Sequence, residues 1–402
     1  MHIDGSVLEG GGQIVRVSIA LATLLNQPLT ITSIRGKRSK PGLAAQHITS
    51  VNAASSLVRG KLEGNIFRSC NLSFTPLQNI PLIQDQSFKF VVDTAGSASL
   101  VIQAMLPVLL LCPRSSSCHE VAVDVVGGTN VGFSPPIDHT IHVLLPLLKR
   151  MNIPDSVVCS IERRGWNPTG GGRVSIRSPC RCTFPRSTGA HHHDGDGMET
   201  LTGLQLTDRG KIVSVCAYVA CSSNNRDIVD GAQISLLTLC RALVVDFCGA
   251  DEGARVDIQV FADDTTMESK LPTQARSGGK RDAGGELCVQ LCVVTSSGCR
   301  LSRNLLQRCH PGDVPKRIRR LVDSMRGLIV SGACIDEHTA DQLLVYMALS
   351  NSPSQLLVEP LDQRTSSLHI DSTVHVLQKF LKKGMFKVTV QSSGCRLIEC
   401  SP

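Results

Sequence analysis

The segment QIVRVSIALATLL, residues 13–25, is apolar nearly all round when set at helical spacing. Such a helix has no face to give to solvent, so the chain must wrap it in further layers. Ser97–Leu111 reads as a second buried helix, and Gly11–Leu25, Gly42–Val58 and Ile137–Met151 as others. Between them lie strand-like runs: Leu29–Ile34 (LTITSI), Phe88–Asp93 (FKFVVD), Glu120–Val126 (EVAVDVV) and one opening at Arg173–Ile176. The alternation predicts an α/β or α+β domain whose helices cover one face of its sheets. Helix, strand and glycine cluster recur, which hints at internal repeats, with Gly10–Gly12 and Gly170–Gly172 as the clearest pair. Apolar residues make up 42% of the chain but aromatic ones only 3%, so the core must be aliphatic.

A chain of 402 residues has room for two or three domains. Composition shifts at residues 180–200 (CRCTFPRSTGAHHHDGDGMET), which read as a linker, with His191–His193 exposed to solvent and able at most to bind a metal weakly. Beyond it come a strand at Lys211–Ala220, a helix at Asp227–Phe247 and a strand at Val256–Phe261. The polar loop PTQARSGGKRDAGGE (272–286) and a strand at Leu287–Val294 follow. That is the size of a small domain. The expectation is a large domain of residues 1–182 and 300–402, with a small α/β domain, 183–299, inserted through flexible joints. Helices at Val314–Ile329, Glu337–Leu349 and Asp371–Leu381 and two final strands complete the chain.

The net charge of +7 suits an anionic partner such as nucleic acid, or simply a mildly basic protein, since the excess reads as thinly spread. Seventeen cysteines without a CxxC fit neither a zinc ribbon nor a disulfide framework. The nearest pairs are Cys180/Cys182 and Cys288/Cys292, and many cysteines sit in apolar runs. Reduced thiols in an intracellular, reducing compartment are expected. The opening MHIDGSVLEGGG lacks an apolar signal core, and the longest apolar run, near Leu106–Cys112, is too short to span a bilayer. No membrane partner is expected.

Candidate chemistry begins at LEGGGQIVR. Glycines before a helix let backbone approach a ligand, and the helix start offers N–H groups to an anion. The same glycines also suit a tight strand–helix turn. Arg16, inside the apolar helix, needs an anionic partner, either Glu9 or a phosphate. Arg35, Lys37, Arg38 and Lys40 fill one loop that runs through Pro41-Gly42 into a helix carrying Gln46; the run is either a phosphate clamp or a solvated face. Gln103 is the polar side chain of its buried helix and must find a hydrogen bond. Pro135 and Pro136 form a stiff wall before Asp138, a plausible helix cap. Asp341 and Gln342 are adjacent on an amphipathic helix. His369 precedes Asp371, another plausible cap; a histidine there feels the positive helix end, which favours the neutral imidazole a nucleophile needs. His375 reads as packing.

In order along the chain, EGGGQIVR, ITSIRGKRSKPGLAAQH, AGSASLVIQ, GGTN…PPID, GWNPTGGGRV, EHTADQLLVYMAL and LHIDSTVHV resemble the RNA 3′-terminal phosphate cyclase family. The resemblance runs from about Ile3 to Cys400 and is weak across the insert. It implies a large domain of three repeated units, each a four-stranded sheet with two helices, plus a smaller inserted α/β domain. It implies conversion of an RNA 3′-phosphate into a 2′,3′-cyclic phosphate, with ATP and Mg2+ or Mn2+, in the nucleus. By the same resemblance His369, in an H-x-x-[ST] context, is the nucleophile that carries AMP, and Glu9 a metal-linked acid. Arg16, Arg35, Arg38 and Gln46 contact phosphate and the RNA end. Gln103 lies close to metal and phosphates, Pro135, Pro136 and Asp138 line the nucleotide pocket, and Asp341 and Gln342 hold ribose and adenine. Where the family usually stacks a tyrosine on adenine, three residues before that Asp, this chain has His338.

Two alternatives belong to other classes. A non-catalytic cyclase-like branch serves ribosomal RNA processing but loses the glycine motif and the histidine, both present here. An enolpyruvyl-transferase-like enzyme shares the repeated architecture but needs neither His369 nor adenine contacts. Labelling with AMP separates both from the cyclase.

Overall fold

The computed structural model describes residues 1–115, 117–179, 182–183, 199–223, 225–248, 254–261, 284–360, 368–381 and 383–402. His191–His193 and most of the 180–200 and 272–286 segments lie outside those residues.

Three units repeat one plan. In the first, β1 (His2–Asp4), α1 (Gly12–Leu24), β2 (Leu29–Thr32), α2 (Ala45–Ser56), β3 (Lys61–Glu63) and β4 (Leu72–Thr75) build a sheet ordered β1-β2-β4-β3. In the second, β5 (Ser87–Val91) and α3 (Ala98–Leu111) lead to β6 (Val121–Gly127). A helical stretch follows, made of α4 (Ile137–His139), a π turn (Thr140–Leu144) and α5 (Leu145–Lys149). With β7 (Val158–Arg163) and β8 (Gly172–Ser178) the sheet order is β5-β6-β8-β7. A short parallel pair, β9 (Cys182–Thr183) and β10 (Glu199–Thr200), precedes β11 (Gln205–Leu206), the first strand of the third unit.

The chain then leaves for a separate sheet. This small unit holds β12 (Ile212–Cys221), α6 (Arg226–Cys248), β13 (Arg255–Phe261), β14 (Gly285–Thr295), β15 (Arg300–Cys309) and α7 (Val314–Val330). Its sheet is ordered β13-β12-β14-β15, with β15 on the edge. The third unit resumes with α8 (Glu337–Leu349), β16 (Ser354–Val358), α9 (His369–Phe380), β17 (Phe386–Val390) and β18 (Arg396–Cys400), ordered β11-β16-β18-β17. In all three repeats the first two strands are parallel, as a crossover helix requires, and the last two pairings are antiparallel.

Repetition is therefore real, but the glycine pair that suggested it is not equivalent. Gly10–Gly12 joins β1 to α1, whereas Gly170–Gly172 leads into the last strand of its unit. Gly170 and Gly171 serve there as a left-handed turn, with φ of +65° and +70°.

The small unit also reaches further than residue 299. Strands β14 and β15 form a hairpin paired from Gly285–Cys309 to Val294–Arg300, and α7 buries Val314, Ile318, Leu321, Val322 and Met325 in the same core as α6. A boundary at 299/300 would cut the turn of that hairpin. Helix α6 has 23 residues and by length and composition could cross a membrane, unlike any apolar run read from the sequence. Here its Ile228, Ala232, Leu236, Cys240 stripe is buried in the small unit's core, while Asp230, Gln233, Arg241 and Asp246 are exposed. Fifteen cysteines, Cys70, Cys112, Cys118, Cys159 and all eleven from Cys216 to Cys400, are free thiols.

The expected single helix over 137–151 is interrupted by the π turn, and Pro146 explains why. Proline has no N–H to give to the carbonyl of residue 142. That His142 carbonyl accepts from Arg300 Nη1 of the small unit at 2.9 Å, and the His142 ring stacks on Tyr218, with centroids 3.5 Å apart. The break in the helix thus docks the insert.

The core of the large unit is aliphatic, as its composition demands. Helix α1 is buried at every position from Gln13 to Leu24, packed among α2, α3 and α9. Helices of all three units therefore meet around α1, and so do their polar ends.

Candidate active site

Helix α1 starts without a side-chain cap: Gly11 is its extended N-cap residue. Its first amides are free to hold an anion. Glycine is required at this corner by close approach. A Cβ on Gly12 would overlap His47 Nε2 and lie 3.0 Å from Arg16 Nη1. His47 is 4% exposed and its Nδ1 accepts the Ala44 N–H at 3.1 Å, so it has little room to yield. Gly12→Ala should therefore lower stability by about 1–3 kcal/mol, the usual cost of overpacking. It should also displace Arg16. The measurements are a thermal midpoint and the rate of any ATP-dependent labelling, both expected to fall.

From that corner a polar network crosses between units. Arg16 Nη2 donates to Gln13 Oε1 at 2.6 Å, and Arg16 Nε to Gln103 Oε1 at 2.9 Å. Gln13 Nε2 donates to Asp341 Oδ1 at 2.9 Å and sits 3.1 Å from Thr373 Oγ1. Thr373 Oγ1 donates to Asp341 Oδ1 at 2.6 Å. One residue each from α3, α8 and α9 is thus tied to two of α1. Arg16 does not pair with Glu9; its hydrogen-bond partners are neutral glutamines. Burial lowers its pKa to about 10, against the pull of Asp341, so it stays cationic at neutral pH. Burial raises Asp341 above the usual carboxylate range, opposed by His369, Thr373 and Arg16.

Glu9 faces the other way. It is ion-paired with Arg38, and its Oε2 lies 2.6 Å from His369 Nδ1. His369 is the first residue of α9, with Leu368 as N-cap. Asp371 is therefore inside the first turn rather than capping it. Burial lowers the His369 pKa below 6.5, helped by Arg16 and Arg38 and opposed by Asp341 and Glu337. The two atoms are close but not in hydrogen-bond geometry; a neutral ring with its proton on Nδ1 would leave the Nε2 lone pair free. The exposed His338 ring lies 6.3 Å from that of His369, edge-on. Gln342 Nε2 donates to the His338 carbonyl at 3.1 Å.

Other expected residues gather at the start of α3. Gln46 Oε1 accepts from Ser97 N–H at 3.0 Å, Ser97 and Ser99 hydroxyls lie 2.7 Å apart, and Ser99 donates to the Pro135 carbonyl at 2.6 Å. Arg35, at φ +54°, donates to the Gly42 carbonyl at 2.8 Å. Pro136, not Asp138, is the N-cap residue of α4. Asp138 forms a buried two-pronged pair with Arg164, both contacts 2.7 Å, whose guanidinium lies over Phe261 of the small unit. Its carboxylate is committed to that junction. Gln13, His47, Thr373 and Arg164 were not singled out from sequence. Gln13 was legible by the same sign as Arg16, a polar residue one turn away in an apolar helix, and Thr373 by lying one turn after His369.

A cavity of about 20 Å³ beneath this network is lined by Gln13, Arg16, Gln103, Asp341, Gln342 and Tyr346. It is of water size, too small for a nucleotide. On the outer side stand Glu9, Arg38, His338 and His369. Among the described residues no group of three His, Cys, Asp or Glu could cage a metal. A single carboxylate such as Glu9 suits Mg2+, which keeps waters and takes its other ligands from phosphates.

Comparison with known proteins gives these residues a family. Residues 7–388 match the family model described as RNA 3′-terminal phosphate cyclase. An RNA 3′-terminal phosphate cyclase of Nitrosospira multiformis is 32% identical over 402 residues, covering 98% of this chain and 95% of its own. One from Hyperthermus butylicus is 45% identical over 213 residues, 53% of this chain and 52% of its own. A probable RNA 3′-terminal phosphate cyclase of Dictyostelium discoideum is 29% identical over 378 residues, 93% of this chain and 75% of its own. With a match that spans all three repeats and holds over nearly the full length of a relative, this chain belongs to the RNA 3′-terminal phosphate cyclase family.

Proposed function

We propose that the protein converts the 3′-terminal phosphate of RNA into a 2′,3′-cyclic phosphate at the expense of ATP, by way of AMP carried on His369. The observation that carries this reading is the 2.6 Å approach of Glu9 Oε2 to His369 Nδ1 at the mouth of α1. A carboxylate at that nitrogen favours the Nδ1–H tautomer, whose Nε2 lone pair can attack. In the first step Nε2 bonds to the α-phosphorus of ATP and the α–β bridge breaks, releasing pyrophosphate. An oxygen of the RNA 3′-phosphate then takes the AMP and His369 recovers its lone pair. The adjacent 2′-hydroxyl attacks the activated phosphorus, its proton is lost, and AMP leaves. Ring closure is intramolecular, so positioning supplies much of the acceleration.

The chain's own residues have distinct tasks. Arg38, Arg35 and the α1 amides offer charge and hydrogen bonds to phosphate oxygens. Arg16 adds a buried positive charge held in place by Gln13 and Gln103. Asp341 acts through Gln13 and Thr373, holding α1 and α9 in register. His338 offers a planar face to adenine, Gln342 lies beside it, and Gln46, Pro135 and Pro136 shape the wall at the start of α3. A divalent cation, Mg2+ or Mn2+, would be held by Glu9 and would offset phosphate charge, while Gln103, bonded to Arg16, acts through that arginine.

The test is an oligoribonucleotide with a labelled 3′-terminal phosphate, incubated with protein, ATP and either metal. Label that becomes resistant to phosphatase only when ATP is present is the expected result. Folded protein that leaves the label fully phosphatase-sensitive with both metals would overturn the reading.

A further inference from the structure

The chain's positive charge is not spread thinly. Residues 300–330, which make β15 and α7, hold eight Lys or Arg against two Asp or Glu, a balance of +6 in a chain whose total is +7. Two of the eight are neutralised locally, Arg303 by Glu359 and Arg326 by Asp246. Arg317 and Arg320 form no ion pair among the described residues. They sit three residues apart on α7, with Ser324 a turn further on, so all three share one side of the helix. That side faces the edge strand β15. Between them runs a groove of about 230 Å³, lined by Arg303, Asn304, Gln307, Arg317, Arg320 and Ser324 together with Leu305 and Leu321.

The groove is wired to the candidate active site. Arg303 pairs with Glu359, and Glu359 Oε1 accepts the Glu337 N–H at 2.9 Å. Glu337 opens α8 and is followed by His338, the ring beside His369. Donor-rich side chains, open arginines and the lack of any aromatic lining suit a phosphodiester backbone rather than stacked bases.

We propose that this groove holds the backbone of the RNA strand leading to the reacting 3′ end. The proposal rests on the RNA-end reading above and gives the inserted unit its role: gripping the body of the substrate while the large unit works on its terminus. Recognition is by charge, independent of base sequence.

The test pairs the wild type with the double variant Arg317→Glu/Arg320→Glu, and with Arg317→Gln/Arg320→Gln as a milder version should the first fold poorly. Binding of a 20-nucleotide RNA ending in a 3′-phosphate is read by fluorescence anisotropy at several salt concentrations. Cyclisation of that RNA and of a dinucleotide 3′-phosphate, and labelling of the protein by ATP, are measured in parallel. Expected are a Kd for the long RNA raised at least tenfold and a log Kd–log salt slope reduced by about 1.4, the value for two single-strand phosphates. Labelling and dinucleotide turnover stay within twofold. Unchanged affinity for the long RNA overturns the proposal. So does an equal loss on the dinucleotide, which would put the two arginines at the reacting end. Wild-type protein that binds the long RNA without cyclising it defeats the cyclase reading alone, because the anisotropy comparison still decides the groove.

Discussion

His369→Ala protein should take up no label from ATP marked at the α-phosphate, under conditions where the wild type keeps acid-labile label after denaturation. Overall cyclisation should fall by about 10⁶, as when the serine nucleophile of subtilisin is removed. The fold should survive. His369 starts α9 with its side chain 28% exposed, and the helix is anchored by buried Ile370, Val376 and Leu377 further along. A second substrate sharpens the result. RNA already carrying AMP on its 3′-phosphate needs only attack by its own 2′-hydroxyl, so His369→Ala should still close that ring at a rate within about tenfold of wild type. Loss of both reactions would mean that the imidazole serves the ring-closing step or the architecture of the pocket. Full labelling of the variant would end the covalent mechanism at this residue.

The same helix start shows why parts of the fold were legible in sequence and others not. Buried helices declare themselves: α1, α3 and α8 were legible to within a few residues, because a long apolar run with helical flanks forms little else in a folded chain. Short strands do not. Strands β1, β3 and β4 have three or four residues each, half of them solvent-facing, and such pieces carry too little pattern to separate from loop. They become strands through pairing, β1 and β4 with β2 and β3 with β4, contacts that local sequence does not encode. Strand β15 failed for a different cause. Its run RLSRNLLQRC is polar because it lies on a sheet edge beside a basic helix, so the insert read as ending too early, before β15 and α7.

The site was legible where chemistry and burial conflict. Arg16 and Gln103 stood out as polar groups in apolar helices, and the structure joins them directly. What sequence could not give was pairing across hundreds of residues. Glu9 was one of two partners open to Arg16, a phosphate the other, but the helix turns Arg16 inward to Gln13 and leaves Glu9 at the mouth with Arg38 and His369. Asp138 and Asp371 looked like caps because acids often are; one went to a buried arginine and the other into the first turn. The basic groove was readable only once α7 and β15 were known to face each other.

Glu9→Gln tests the pairing at the mouth of α1. The change keeps the shape of the side chain and removes one negative charge. Its ion pair with Arg38 involves an arginine 45% exposed, so stability should shift by less than about 1 kcal/mol. Adenylation of His369 should fall by about 10²–10⁴, as when a carboxylate behind a catalytic imidazole becomes an amide in a serine-protease triad. The pH profile carries the discriminating sign. In the wild type the attacking form is neutral, and the His369 pKa lies below 6.5. The rate therefore holds down to that lowered pKa and drops only as protonation claims Nε2. Without the Glu9 carboxylate the imidazolium loses a neighbouring anion, so its pKa falls further. The acid limb should move to lower pH even as the plateau drops. A metal-holding role alone would lower the plateau and raise the metal concentration needed, yet leave the labelling limb where it was with metal in excess. An unmoved limb would thus detach Glu9 from His369 and leave its neutral form to burial and the helix dipole, while an acid-shifted one would tie Glu9 to the nucleophile in the corner where α1 and α9 meet.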